Sequence, residues 1–404
     1  MEQSKSIKIQ DFSYKLPEHK IAKYPLGQRD MSKLLVSGDR IIDDTFKNIS
    51  NYLPSKSIIF FNNTHVIRAR MEFYKHTGAR IEIFCLEPYL PSDYFLSFQS
   101  KKSVQWTCII GNLKKWKNGS LSKLISIDNQ EIELFAKIIK QDKNNKHIIE
   151  FNWDSNHTFS EIIDNSGKMP IPPYLKRESE EIDEKRYQTI YAKYFGSVAA
   201  PTAGLHFTGK TLESLRTKNI EIDYLTLHVG AGTFAPVKSD NVFEHSMHTE
   251  HFFVSKDNLE NLINNKNKII ATGTTTLRTL ESIYWTGLKV YHKEKNINID
   301  QWYPYNVKSN ISVKDCLYEL INYMDKNNID ILENTTSLMI IPGYKFRLTD
   351  ILITNFHQPK STLLLLVAAF IGDDWKRIYE HALNNDYRFL SYGDSSLLFR
   401  KDKY

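Results

Sequence analysis

The sequence predicts an α/β protein: a parallel or mixed sheet covered by helices, interrupted near its N-terminal end by an antiparallel insert. Three observations carry this. Short apolar runs at Ile58–Phe61, Ile269–Ala271 and Ile351–Ile353 stop at turn-forming or polar residues, and helical spacing follows the last two. That alternation builds a sheet with covered faces. Residues 71–153 instead alternate apolar and polar with a period of two, between turn clusters. Finally, from Gly196 to Gly204 no side chain is larger than Val198. A run without bulk suits a backbone that lies against a ligand or another segment.

The elements follow in order. Pro17 and Pro25 keep residues 11–36 from forming one helix, and the polar trio Gln28, Arg29 and Asp30 precedes a strand at Leu34–Val36. Ile58–Phe61 is apolar throughout, hence buried on both faces, and ends at Asn62-Asn63-Thr64. In the insert, Ile81, Ile83 and Cys85 share one face of a strand, and VQWTCII (104–110) and EIELFAKII (131–139) repeat the pattern between the turn clusters KNGS and DNQ. This reads as a barrel or sandwich. Lys114, Lys115 and Lys117 stand near Trp106 and Trp116, a mix that either contacts RNA or is a solvated hairpin. Pro170, Pro172 and Pro173 force an extended return crossing. Thr208 then starts a helix carrying Leu212 and Leu215. Ile220, Ile222 and Tyr224 alternate in a strand that continues to Val229. Gly273 breaks the 269–271 strand before a helix over Thr274–Trp285, with Leu277, Leu280, Ile283 and Tyr284 on one face. An apolar helix begins at Leu363.

The chain has 404 residues, 41% hydrophobic and 25% charged, an ordinary globular composition of two or three domains. A net charge of +6 permits a polyanionic partner without demanding one. Cys85, Cys108 and Cys316 are scattered, which argues against a disulfide framework and a structural zinc site and fits a reducing cytoplasm. The first residues carry no apolar signal-peptide core. The longest apolar run, Leu363–Ile371, falls short of the roughly 20 residues that span a bilayer.

Five motifs could carry chemistry. The small-residue run ends at His206, which titrates near neutral pH. GAGTFA (230–235) matches a dinucleotide fingerprint, but no helical stripe follows Pro236, so it reads as a tight loop in which Gly230 and Gly232 face a ligand. HSMHTEH spaces His245, His248 and His251 by three with Glu250 alongside. On a helix these could bind a metal; otherwise they form a loop. GTTTLRTLES places Thr274 and Thr275 at a helix N-terminus, where free N–H groups favour anions, and sets Arg278 and Glu281 three apart, able to pair. TNFHQPKST crowds Asn355, His357, Lys360, Ser361 and Thr362 onto a strand-to-helix turn, where α/β enzymes hold ligands.

Together, RDMSKLLV, NNTHVIRAR, KMPIPPYLKR, YQTIYAKYFGSVAAPTAGLHFT, LTLHVGAGTFAPV, HSMHTEH, GTTTLRTLES, the stretch from TNFHQPKST to AAFIG, and YRFLSYGD cover the chain from about residue 11 to residue 398. In these motifs, and in their order, the sequence resembles the S-adenosylmethionine:tRNA ribosyltransferase-isomerases. It departs at Asn63 and His65, where the family has Asp and Arg, at Gln358, where it has Leu, and at His251.

The resemblance implies a three-layer α/β sandwich main domain (1–70 and 154–404) with an inserted antiparallel β-barrel domain (71–153). It implies a cytoplasmic monomer that uses S-adenosylmethionine as co-substrate, with no metal or redox cofactor. The partner is tRNA carrying 7-aminomethyl-7-deazaguanine at the wobble position, and the products are epoxyqueuosine-tRNA, adenine and methionine. It offers His206, His228 and His357 as base and acid. Arg278, Asn355 and Lys360 would stabilise oxyanions or hold the methionine carboxylate. Asp394 or Glu281 would pair with the ammonium, and Arg388 and Tyr392 would contact a base. Thr202, Gly204, Gly230, Gly232, Thr274, Thr275, Ser361 and Thr362 complete the substrate contacts. Two other classes compete: a non-catalytic RNA-binding module resting on the Lys/Trp hairpin, and a metallohydrolase resting on the His cluster.

Overall fold

The computed structural model describes residues 6–117, 119–141, 145–230, 232 and 239–401. Its larger sheet has nine strands, in the order Ile331–Thr336, Glu250–Ser255, Glu221–Leu227, Ile58–Asn62, Ile269–Thr272, Ile351–Asn355, Ser395–Phe399, Lys33–Val36 and Ile42–Thr45. The four from Glu221–Leu227 to Ile351–Asn355 are mutually parallel, and Lys33–Val36 runs parallel to Ser395–Phe399. The other pairings are antiparallel, so the sheet is mixed.

Strand periodicity explains the layers. Ile58 and Phe60 enter one core while Ile59 and Phe61 enter another. Leu35 against Leu34 and Val36, Leu352 against Ile351 and Ile353, and Leu398 against Leu397 divide the same way. With both faces apolar, the sheet must be covered on both sides. One side takes the helices Lys256–Asn264, Thr274–Tyr291, Val313–Lys326, Thr362–Ile371 and Asp374–Asn384, and the other takes Gly209–Thr217 and the 3-10 segment Phe46–Tyr52. The three-layer expectation is met.

The helix Thr274–Tyr291 departs from its expected single apolar face: every residue from Thr274 to Lys289 is buried. It lies between the sheet and Val313–Lys326, so its polar residues turn inward. Thr276, Thr279 and Thr286 hydroxyls donate to the carbonyls of Thr272, Thr275 and Ser282 at 2.6, 3.0 and 2.9 Å. Those bonds satisfy groups that water cannot reach.

Residues 70–168 contribute a second, seven-stranded sheet, antiparallel throughout. It curls into a half-barrel around Ile81, Ile83, Cys85, Trp106, Cys108, Leu134, Ile149 and Phe151. The helix Phe159–Ser166 fills the open side, its Phe159 ring 5.4 Å from Trp106 and 5.6 Å from Phe151. Trp106 and Trp116 are both buried, so neither ring is free to stack on a base. Lys114, Lys115 and Lys117 are exposed. The RNA-binding-module reading loses its aromatic support. All three cysteines are free, with Cys85 and Cys108 Sγ 3.8 Å apart across two strands. Among the described residues no helix is long and apolar enough to cross a membrane.

Helix 274–291 packs tightly on Val313–Lys326 at Gly287, where an added Cβ would collide with the Cys316 carbonyl oxygen. Backbone cannot swing aside as a side chain can. Gly287→Ala is expected to lower stability by about 1–3 kcal/mol, read as a shifted denaturation midpoint. An unchanged midpoint would mean that the two helices are not locked at this point.

Candidate active site

The parallel strands Ile269–Thr272 and Ile351–Asn355 end side by side. Beyond their C-terminal ends, where open α/β sheets bind ligands, lies a pocket open to solvent at its mouth. Its walls are Ala199–Ala203, Val229, Gly273–Thr275, Thr354–Gln358, Ser361, Leu363, Leu390, Ser391 and Tyr174. The absence of bulk from 199 to 203 is what leaves the space open. Gly273, at φ 91°, turns the chain from strand into helix without a side-chain cap. The first N–H groups of that 18-residue helix therefore open onto the pocket at Thr274 and Thr275, a setting that favours an anion.

Asn355 is a wall residue of particular chemistry. Its Nδ2 donates to His206 Nε2 at 3.1 Å and to the Leu390 carbonyl at 3.2 Å. Its Oδ1 is buried with no partner among the described residues. Such an acceptor invites an N–H or O–H from a ligand. Behind it a smaller pocket is lined by Arg29, Ser32, Arg186, His206, Arg388, Ser391 and Tyr392.

The three candidate histidines prove to be desolvated. His206 Nδ1 meets Ser32 Oγ at 2.8 Å, and burial pulls its pKa down to about 4. His357 lines the main pocket, holds Thr354 Oγ1 at 2.8 Å and is lowered by burial to about 3. His228 lies outside the pocket lining. It bonds Thr64 Oγ1 at 2.9 Å, packs 4.4 Å from the Tyr94 ring, and burial lowers it to about 3. All three are neutral at pH 7.

The other anticipated residues divide. Thr202, Thr274, Thr275, Asn355 and Ser361 line the main pocket. Ser361 also caps the helix Thr362–Ile371, accepting from Leu364 N at 3.2 Å, with Thr362 as its first residue. Lys360 sits on the turn just before that cap, part-exposed, its N–H on the Phe12 carbonyl at 2.9 Å. Arg388 and Tyr392 line the smaller pocket. Asp394 is already committed: it takes Lys33 N, Arg388 N and Arg388 Nη2 at 3.1, 2.8 and 3.0 Å. The Tyr392 hydroxyl donates to Asp183 at 2.7 Å. Gly204 does not line the pocket; its open side faces the Tyr191 hydroxyl.

Two expectations need correction. Arg278 and Glu281 do not pair, because helix and sheet bury them in different directions. Arg278 Nη1 donates to Glu250 at 2.5 Å. Glu281 accepts the backbone N–H groups of Arg347, Leu348 and Thr349 at 2.8–3.0 Å, plus the Tyr344 hydroxyl at 3.0 Å. The three spaced histidines do not share a helix. His251 lies on a strand with Glu333 at 3.0 Å, while His248 turns to Glu250 at 3.3 Å. Among the described residues no group of three or more His, Cys, Asp or Glu could hold a metal. Residues 231 and 233–238 of the Gly-rich segment lie outside the described residues. Gly230 and Gly232 are described, and their open sides face the His248 ring.

Asn63 and His65, the departures from the family pattern, stay off the pocket. Asn63 Oδ1 accepts from Thr226 Oγ1 at 2.6 Å, and His65 packs 4.3 Å from Phe195. Gln358 lines the pocket. Sequence reasoning passed over Tyr174, Thr354, Ser391 and Arg186. Tyr174 and Ser391 join by a short hydroxyl–hydroxyl bond between segments 217 positions apart, which no local pattern signals.

The desolvated histidines make stability depend on pH. Below pH 6.5 the unfolded chain takes up protons that the folded rings refuse, so stability falls from there down to about pH 4 for His206. His206→Asn is expected to remove about 3 kcal/mol of that acid-side loss. Urea midpoints at pH 7, 5.5 and 4.5 measure it. A variant that loses stability as steeply as the parent would contradict the buried neutral ring.

The family described as "Queuosine biosynthesis protein" matches residues 9–398. An S-adenosylmethionine:tRNA ribosyltransferase-isomerase from Borreliella afzelii is 36% identical over 97% of this chain and 99% of its own length. One from Rickettsia canadensis is 35% identical over 98% and 100%. A crystal structure of an S-adenosylmethionine tRNA ribosyltransferase from Thermotoga maritima is 26% identical over 96% of this chain and 99% of that one, with a TM-score of 0.45. On the strength of the family match and the full-length relatives, this chain belongs to the queuosine biosynthesis protein family.

Proposed function

We propose that this protein is an S-adenosylmethionine:tRNA ribosyltransferase-isomerase. The observation that carries the reading is that the family's motifs, far apart in sequence, line one pocket at the strand ends. The tRNA would carry 7-aminomethyl-7-deazaguanine at the wobble position. S-adenosylmethionine would serve as co-substrate without metal or redox cofactor, in a cytoplasmic monomer.

The chemistry asks for what the pocket offers. The sulfonium acidifies the 5′ hydrogens, and a base removes one. The ribose ring opens and adenine leaves. The aminomethyl nitrogen captures the former anomeric carbon, the 5′ carbanion closes the carbocycle, and methionine departs as the epoxide forms. The uncapped N–H groups at Thr274 and Thr275 suit a carboxylate or a developing alkoxide. Asn355 Oδ1 suits a ribose hydroxyl or the adenine amine. Ala199, Ala200, Pro201, Leu363 and Leu390 help exclude water from intermediates that hydrolyse.

Adenine release from S-adenosylmethionine is expected only with tRNA bearing the aminomethyl base, and nucleoside mass analysis should then find epoxyqueuosine. Equal release with unmodified tRNA would sink the reading. Chelating agents are expected to leave turnover intact. A loss restored by one added metal would contradict the metal-free mechanism.

A further inference from the structure

Arg29 and Arg186 stand together in the smaller pocket, and none of the roles above uses their charges. Each clasps the segment that carries the other. Arg29 donates from Nη1 to the Leu205 carbonyl at 3.1 Å and from Nη2 to the Lys185 carbonyl at 2.8 Å. Arg186 donates from Nη1 to the Gly27 carbonyl at 3.2 Å and from Nη2 to the Leu26 carbonyl at 2.7 Å. Carbonyls fix the planes of both guanidiniums but leave both charges uncompensated. Burial lowers the pKa of each, the Arg186 charge lowers Arg29 further, and no carboxylate among the described residues offsets either shift. The Nε of Arg186 is buried with no partner among the described residues.

The nearby carboxylates are already taken. Asp394 holds Arg388, the third arginine of this pocket, at 3.0 Å. Asp183 accepts Arg177 at 2.6 and 2.7 Å and the Tyr392 hydroxyl at 2.7 Å. Asp30 is turned to Thr208 Oγ1 at 2.8 Å. His206, on the same wall, is neutral and brings no charge of its own. Two like charges held together and partly desolvated repel each other, and an anion between them relieves that repulsion. The pocket also adjoins the main one: Ser391 lines both, and His206 of the smaller pocket bonds Asn355 of the larger.

We propose that Arg29 and Arg186 form a binding site for a phosphodiester of the tRNA, beside the pocket that takes the base under modification. The inference rests on the function proposed above. The other oxyanion among the two substrates, the methionine carboxylate, has the uncapped N–H groups at Thr274 and Thr275 inside the main pocket. The arginine pair lies outside that pocket, in one of its own. Guanidinium N–H groups fit phosphate oxygens in pairs. The carbonyl bonds have already fixed both side chains, so binding loses little side-chain entropy. Phosphate contacts set position without reading sequence, and this one sets the register of the nucleotide beside the modified base.

The test measures binding of precursor-modified tRNA across a range of salt by the full-length parent, Arg29→Gln, Arg186→Gln and Arg186→Lys. Each Gln variant is expected to bind about 10-fold more weakly and to reduce the slope of log affinity against log salt by about one, while KM for S-adenosylmethionine changes less. Arg186→Lys keeps the charge and should keep the parent slope. A clasp that only joins two segments would lower the melting temperature and leave every slope alone. Parent-like slopes in both Gln variants overturn the site and leave the function standing. A raised KM for S-adenosylmethionine with tRNA affinity intact gives the pair to the methionine carboxylate and overturns it too. If the Gln variants do not fold, the parent decides. Inorganic phosphate should then displace its tRNA better than chloride at equal ionic strength, and equal displacement overturns the site. A parent that binds tRNA through these arginines yet releases no adenine overturns the function and leaves the site standing.

Discussion

The amide of Asn62 holds the strand ends in place. Its Nδ2 donates to the Leu227 carbonyl at 2.9 Å and its Oδ1 accepts the Leu227 N–H at 3.1 Å. It thus continues the parallel pairing of Ile58–Asn62 with Glu221–Leu227 by side chain where the backbone register stops. Oδ1 also takes the Thr64 N–H at 3.2 Å, which starts the turn into Thr64–Val66. A strand buried on both faces has no water for its last polar groups, so the amide has to supply the bonds. From this clamp one chain leads toward the pocket wall at Val229, and the other leads toward the half-barrel.

A second constraint runs through the motifs. Three glycines are needed because a ring or hydroxyl occupies the space beside them. A Cβ on Gly196 would stand 2.6 Å from the His228 ring, one on Gly204 would meet the Tyr191 hydroxyl, and one on Gly232 would meet His248. Close approach to a ligand is the usual reason for such residues. Here the close approach is internal, and it seats two imidazoles and a tyrosine hydroxyl against the backbone.

The electrostatics separate the histidines by their partners. A ring closed off with a hydroxyl or amide gains nothing from its charge and pays the full desolvation cost, so His206, His228 and His357 stay neutral. Buried ion pairs hold geometry more surely than they add stability, and Arg278–Glu250 ties the helix Thr274–Tyr291 to the strand Glu250–Ser255.

How much was legible depended on the range of the interaction. The wholly apolar run Ile58–Phe61 and the alternating run Ile81–Cys85 determined their strands, because apolar patterning is a local property of the chain. The small-residue run at 196–204 and the turn at 354–362 marked the pocket for the same reason: bulk and turn chemistry are written locally. Partnership was not. Arg278 and Glu281 sit one turn apart, yet they bond residues 28 positions before and 66–68 after. The spacing of His245, His248 and His251 left metal ligation and a plain loop both open until the strand set His251 on another carboxylate. Side-chain identity and spacing say what a group can do. Only the packing of helix against sheet decides which opposite charge it is buried with, because the dielectric and the partner are both set by residues distant in the chain.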